Sequence, residues 1–326
     1  MSIIYFHRNL EAGYSINKVT QTIVRGIPDK QEYYVPYMGA SVKTIVQNLL
    51  YVWRHRAKHS IHHITGDIHY CILALLGCKS VLTIHDTVPL EFNQLSWVKK
   101  LIMEWLWYRI PLRLASKVVC ISEETKRCVQ KYTGRKDIVV IHNAIDPIFE
   151  EASMEKHADD GVKTVLLIGT GPNKNLERTF EALAGLKCRL VIIGELLPEQ
   201  EDALSRNHLD YIHKMGLTDE QILEAYEKCD IVSFISMFEG FGMIVIEANK
   251  VGRPVICSDI PVLKEVAGDA ALFVDPYDVK SMRAGFERLL SEPDLCKALI
   301  ERGRDNVRRF DAPIITQQWQ ALYAQM

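Results

Sequence analysis

Two carboxylates eight positions apart, Glu239 and Glu247, bracket the run Gly240-Phe241-Gly242-Met243. The residues before them, Asp230-Ile231-Val232-Ser233-Phe234-Ile235, read as a buried parallel strand. Met243 to Val251 continue as a helix that opens just after two flexible glycines. Such a helix start favours an anion. Its first N–H groups have no acceptor inside the helix, so those of Phe241, Gly242 and Met243 are expected to point at a phosphate. Glu247, one turn in, is placed to accept hydrogen bonds from ribose hydroxyls, and Glu239 to face a reacting sugar. The plainer alternative is that acidic residues near a helix start are favoured by its dipole whether or not they bind anything.

Three further stretches carry candidate chemistry. His85-Asp86-Thr87 closes the hydrophobic run Ser80 to Ile84, which puts its polar groups at the carboxyl end of a strand, where ligands approach. His62 to His69 form a second polar cluster at a strand end, expected on the acceptor side. A zinc site from His62, His63, Asp67 and His69 is the competing reading, opposed by poor spacing and by strand neighbours that point to opposite faces. Trp97 to Arg109 carry apolar residues at i, i+4 and i+8 among several cations. One reading is a helix packed on a sheet with Lys and Arg snorkelling; the other is a membrane-interface helix that brings the protein to a lipid-linked acceptor. Val42 to Lys58, with Arg54, His55, Arg56 and Lys58, would add a basic surface nearby.

The elements that must position these residues alternate along the chain. Strands are expected at Ile3 to Phe6, Tyr33 to Pro36, Ile61 to Ile64, Val81 to Ile84, Val118 to Ile121 and Ile138 to Ile141. A second set is expected at Thr164 to Gly169, Arg189 to Gly194, Leu209 to His213, Ile231 to Ile235, Val255 to Cys257 and Ala271 to Val274. Helical segments between them make two doubly wound parallel sheets. A chain of 326 residues with 48% hydrophobic content exceeds the usual size of one core. We therefore expect domains at 1–150 and 151–312, with the charged stretch Phe149 to Gly161 as linker and a terminal helix at 313–326 folded back on the first domain. The net charge of -2 argues against a nucleic-acid partner, and eight scattered cysteines without a CxxC pair read as reduced core residues. The chain enters directly into Ile3-Ile4-Tyr5-Phe6, and no apolar run of about eighteen residues occurs, so the cytoplasm is the expected compartment, at most touching the inner face of the plasma membrane.

The carboxylate pair with Gly-Phe-Gly between them resembles the ExxxxxxxE signature of retaining glycosyltransferases of family 4, which have the GT-B fold. Other stretches resemble that family in the same order: Thr83-Ile84-His85-Asp86, Cys120-Ile121-Ser122-Glu123, Ile141-His142-Asn143-Ala144-Ile145-Asp146, Val165 to Thr170 followed by Asn173-Lys174-Asn175-Leu176, and Gly252-Arg253-Pro254-Val255-Ile256 with Pro261 to Ala271. The resemblance spans nearly the whole chain. It implies two facing Rossmann-like domains with a donor cleft between them, and a hexosyl transfer from a nucleotide diphospho-sugar to a hydroxyl acceptor in bacterial surface polysaccharide or glycolipid assembly.

By the same resemblance Gly169 and Thr170 approach the donor, and His85 touches its sugar while Asp86 orients His85 or binds an acceptor hydroxyl; Gly13, on the loop after the first strand, is a candidate for close approach to the donor, an ordinary turn being its equal alternative. Lys174 would clamp the leaving diphosphate, since a fixed ammonium and helix-terminal amides offset that charge without a metal ion. The family often has two glycines where this chain has Gly13 alone, and an arginine near Lys174 where it has Thr170 and Asn173. No cofactor and no resident metal are expected, the nucleotide sugar being a co-substrate. The alternatives are a sugar-nucleotide epimerase of the same fold, or a non-catalytic nucleotide-binding module resting on Gly169-Thr170-Gly171, whose third glycine position is taken by Lys174.

Overall fold

A computed structural model of the chain describes residues 2–12, 15–87, 90, 96–152 and 161–326. The chain divides into two compact units, Met1–Asp146 with Phe310–Met326, and Pro147–Arg309. In the first, β1 (Ile3–His7), β2 (Lys30–Tyr34), β3 (Ile61–Ile64), β4 (Lys79–Ile84), β5 (Lys117–Cys120) and β6 (Val139–Val140) form one sheet in the order β2-β1-β3-β4-β5-β6. Its strand pairs are parallel. In the second, β7 (Lys163–Ile168), β8 (Cys188–Ile193), β9 (Asp210–Lys214), β10 (Ile231–Phe234), β11 (Val255–Ser258) and β12 (Leu272–Val274) run parallel in the order β12-β11-β10-β7-β8-β9.

Both faces of each central strand are covered, which is why these strands read as unbroken apolar runs. The two-residue period divides them between cores. Ile4 and Phe6 of β1, with Leu82 and Ile84 of β4, enter one core of the first unit; Ile3 and Tyr5, with Val81, enter the other. The expectation for β2 was three residues late, because this strand lies at the sheet edge and opens on the polar Lys30-Gln31-Glu32.

The helix Ala312–Ala324 packs into the first unit's second core through Ile315, Trp319, Leu322 and Tyr323. A buried polar chain fastens it. Tyr323 Oη lies 3.0 Å from Tyr5 Oη and 2.7 Å from His63 Nδ1, and His63 Nε2 lies 2.7 Å from Thr83 Oγ1. The stretch anticipated as a linker starts differently: Pro147–Glu151 is a 3₁₀ turn of the second unit, with Phe149 buried edge-on to Tyr226. Residues 153–160 of that stretch lie outside the described residues.

The aromatic segment is one helical run in three parts: α-helix at Trp97–Met103, π-helix at Glu104–Arg109 and α-helix at Ile110–Leu114. Pro111 explains the change of pitch. In an α-helix its N–H would donate to Trp107 O, but proline has none; His69 Nδ1–H donates to that oxygen instead, at 2.8 Å.

Burial holds the imidazoles of His7, His69 and His85 down at about 4, and that of His63 well below its ordinary value. All belong to the first unit. In the unfolded chain they take up protons near pH 6.5, so below that pH the unfolded state binds more protons and stability falls with acid. Each imidazole with a folded value near 4 should cost about 2 kcal/mol at pH 5 relative to neutral pH. All five tryptophans, Trp53, Trp97, Trp105, Trp107 and Trp319, lie in this unit. The urea midpoint followed by tryptophan emission should therefore drop strongly between pH 7 and pH 5; a midpoint that stays constant would contradict this.

Candidate functional site

Open parallel sheets bind ligands outside the carboxyl ends of their strands, where the strand order reverses. In the second unit that point lies between β7 and β10. The loops leaving these two strands carry Gly169 to Asn175 and Ile235 to Gly242.

Gly169 takes φ +85°, and its amide donates to Ile193 O at 2.8 Å. Pro172–Lys174 then forms a 3₁₀ turn that ends on Asn175 in the left-handed region, φ 59°. Asparagine tolerates that conformation, and Asn175 Nδ2 anchors it by donating to Pro276 O at 2.7 Å. The turn is stitched to the β10 loop. Met237 N donates to Asn173 O at 2.8 Å, and Asn173 Nδ2 donates to Phe238 O at 3.1 Å and to Glu239 Oε1 at 3.3 Å. Lys174 Nζ donates to the same Glu239 oxygen at 2.7 Å and sits 4.6 Å from the centre of the Phe234 ring. The hydroxyls of Ser233 and Ser236, at the same mouth, are buried without a hydrogen-bond partner among the described residues. Thr170 Oγ1 donates to Glu195 O, so its hydroxyl serves the loop's own shape.

Gly242 opens the helix Met243–Val251 at φ +118°. A Cβ there would lie 2.7 Å from Leu263 Cδ2, so both conformation and space call for glycine. Phe241 is buried beside it. One turn into the helix, Glu247 Oε2 accepts from Tyr226 Oη at 2.6 Å. Burial, and then the Glu247 charge, push this phenol's pKa well above its ordinary value, so it stays a donor. Tyr226 was not anticipated. Its place three residues after Leu223 on the helix Asp219–Lys228 signals burial, and a buried tyrosine hydroxyl needs a partner, but nothing in the residue order names Glu247 as that partner.

In the first unit the corresponding reversal lies between β1 and β3. A pocket of about 230 Å³ opens there, lined by Arg8 and Asn9 after β1, Asp67 to Tyr70 after β3, and His85 and Asp86 after β4, with Met103, Trp107 and Tyr108 closing a side. His85 Nε2–H donates to Thr65 O at 2.7 Å, which fixes its tautomer, and Tyr108 Oη donates to Asp86 O at 3.1 Å. Arg8, buried, lies 4.0 Å from Asp67 and was missed by the sequence reading. The cluster from His62 to His69 separates. Asp67 and His69 reach the pocket, but His62 and His63 do not line it: they are buried on opposite faces of β3. His62 accepts from Ala57 N and donates to Lys79 O, and among the described residues no group of three or more such side chains is arranged to hold a metal ion. Gly13 lies outside the described residues.

The expected site residues thus fall into two sets, Gly169, Thr170, Lys174, Glu239, Phe241, Gly242, Met243 and Glu247 in the second unit, and His85 and Asp86 in the first. Residues 149–306 match the family described as Glycosyl transferases group 1, and residues 11–149 match Glycosyltransferase Family 4. The O-antigen chain mannosyltransferase RfbU of Salmonella typhimurium is 26% identical over 257 residues, covering 72% of this chain and 70% of its own. An N-acetylgalactosaminyltransferase of Campylobacter jejuni, named for a diphospho-undecaprenol acceptor, is 26% identical over 259 residues, covering 73% and 68%. The crystal structure of Anabaena Alr3699/HepE in complex with UDP has the same fold at TM-score 0.79 and 15% identity, covering 100% of both chains. The structure of WaaG, a glycosyltransferase involved in lipopolysaccharide biosynthesis, matches at 0.75 and 14%, covering 98% and 99%.

Gly242→Ala should destabilise the second unit by about 1–3 kcal/mol, from its left-handed backbone alone. Chemical denaturation followed by far-UV circular dichroism measures this; an unchanged midpoint would mean that the turn adopts another conformation.

Proposed function

Because the chain belongs to glycosyltransferase family 4, with two Rossmann-like domains of the GT-B fold, we propose that it transfers a hexosyl unit from a nucleotide diphospho-sugar to a hydroxyl of a saccharide or lipid-linked saccharide, with retention at the anomeric carbon, in building a bacterial surface polysaccharide or glycolipid. The observation that carries this reading is the 2.7 Å pair of Lys174 and Glu239 beside the helix that Gly242 opens, with Glu247 one turn further on. The O-antigen mannosyltransferase among the relatives, and the UDP bound to a protein of the same fold, support the substrate class.

In this reading the diphosphate lies on the first amides of the helix Met243–Val251, and the ribose hydroxyls donate to Glu247, which Tyr226 holds in place. Hydroxyls of the sugar replace the Lys174 ammonium on Glu239, and the ammonium turns to the diphosphate. When the bond from the anomeric carbon to the phosphate oxygen breaks, the electron pair stays with the nucleoside diphosphate, where Lys174 and the amides offset it in place of a divalent metal. The acceptor oxygen bonds the anomeric carbon on the face the phosphate leaves, and its hydroxyl proton passes to the departing phosphate oxygen. His85, neutral at working pH and fixed through its Nε2–H, lines the first unit's pocket with Asp86 as hydrogen-bonding groups toward the sugar and the acceptor.

The protein would work at the cytoplasmic face of the plasma membrane. Trp97, Leu101, Ile102 and Trp105 are exposed while Leu106 and Trp107 pack inward, which supports bilayer contact through residues 97–109. No helix among the described residues is long and apolar enough to cross a membrane.

The reading is tested by incubating the protein with UDP-, GDP- and ADP-sugars and following release of the nucleoside diphosphate, with and without excess chelator. Release from one nucleotide class at a chelator-independent rate is expected; no release from any of them counts against it. Two substitutions should separate binding from chemistry. Glu247→Ala should weaken binding of the nucleoside diphosphate by about 1.5–3 kcal/mol in calorimetry. Lys174→Ala should lower turnover by roughly two to three orders of magnitude; normal turnover would remove Lys174 from the mechanism.

A further inference from the structure

The helix Val42–Arg54 is apolar on two sides. Ile45, Asn48 and Val52 face the 3₁₀ segment His69–Leu75 and are buried there. Asn48 fixes the packing, donating to Tyr37 O and Tyr70 Oη. On a second side stand Val42, Val46, Leu50 and Trp53, exposed by 79%, 47%, 48% and 53%. At about 100° per residue these four fall within about 80° of one another, beside the buried stripe, and Lys43 and Arg54 follow on the far edge. A surface helix of a water-soluble domain normally turns polar residues outward. This one carries a second apolar stripe with a cationic border.

The stretch of chain that carries the stripe has charge of one sign. No carboxylate occurs between Glu32 and Asp67, while Lys43, Arg54, Arg56 and Lys58 do. Arg56 lies 5.2 Å from the Trp53 ring and donates to Ala74 O. The 3₁₀ segment beneath the helix is followed by the exposed Leu76, and it also packs against the π-helix Glu104–Arg109. That π-helix continues the helix Trp97–Met103, on which Lys99 and Lys100 are exposed.

We propose that the helix Val42–Arg54 lies on an anionic lipid bilayer, inserting Val42, Val46, Leu50 and Trp53 at the level of the headgroups while Lys43 and Arg54 meet lipid phosphates. A row of aliphatic side chains with a tryptophan and bordering cations suits the interface between acyl chains and headgroups. A second copy of this chain fits less well, because a two-fold contact through the stripe would bring each basic border against itself. The inference shares its partner with the bilayer reading of residues 97–109, but it places a separate helix on the membrane and does not depend on transferase activity.

The test is flotation of the full chain with vesicles of phosphatidylcholine containing phosphatidylglycerol, and with phosphatidylcholine alone. The wild type should bind the anionic vesicles and be released by salt. Val46→Glu with Leu50→Glu should reduce binding about tenfold or more at an unchanged thermal midpoint. Should that variant melt early, Lys43→Glu with Arg54→Glu decides, with the same loss expected. Wild-type binding in the folded variants overturns the proposal, and so does a loss confined to Leu101→Glu with Ile102→Glu. Absence of vesicle binding by the wild type overturns it too, as does a wild-type dimer that the Val46 and Leu50 changes convert to monomer.

Discussion

Lys174 and Glu239 stand 65 residues apart and meet at 2.7 Å because β10 lies beside β7 rather than beside β9. That reversal of strand order sends the two following loops into the same space, and the rest of the second unit's site depends on it. The Asn173 hydrogen bonds to the main chain at 237 and 238 hold the loops in register, so the ammonium and carboxylate meet in a fixed geometry. Both charges are largely buried, with side chains 20% and 15% exposed. An ion pair that has left water in this way adds little to stability on its own, since loss of hydration offsets its attraction. What the pair does in this structure is set a cation and an anion beside the start of the helix Met243–Val251.

The first unit places its pocket at its own reversal, between β1 and β3. Here polar groups are largely immobilised by main-chain oxygens. His85 is tied to Thr65, His69 to Trp107, and Tyr108 to Asp86. Such bonds fix orientation without adding charge, and burial keeps the imidazoles neutral. In the second unit, by contrast, charged side chains meet one another.

Much of this was legible in the residue order, for identifiable reasons. Strands buried on both faces leave an unmistakable Ile/Val signature, so the central strands of both sheets were placed closely, whereas the edge strand β2 has fewer apolar residues and was read late. Glycines at φ +85° and +118° mark the turns that shape the loops following β7 and β10, and they stand out because no other residue is comfortable there. Partnerships were not legible. That Tyr226 would bond Glu247, or that His69 would occupy the carbonyl Pro111 leaves open, follows from how helices dock on the sheets, which no local spacing encodes. His62 and His63 looked like a site because histidines at a strand end often are; the alternation of β3 instead sends one to each core.

The helix Ala312–Ala324 belongs to the unit that opens the chain, although the whole of the other unit is encoded between them. On the ribosome, synthesis runs in one direction at about 5–20 residues per second, so the first sheet emerges well before its final helix. Until then Ile3, Tyr5 and Val81 lack part of their cover and His63 lacks its tyrosine partner. The second unit has no such wait, since residues 147–309 are contiguous. The nascent chain can therefore complete its later unit before its earlier one, and an interruption of synthesis near residue 310 would release a finished second unit joined to an unfinished first.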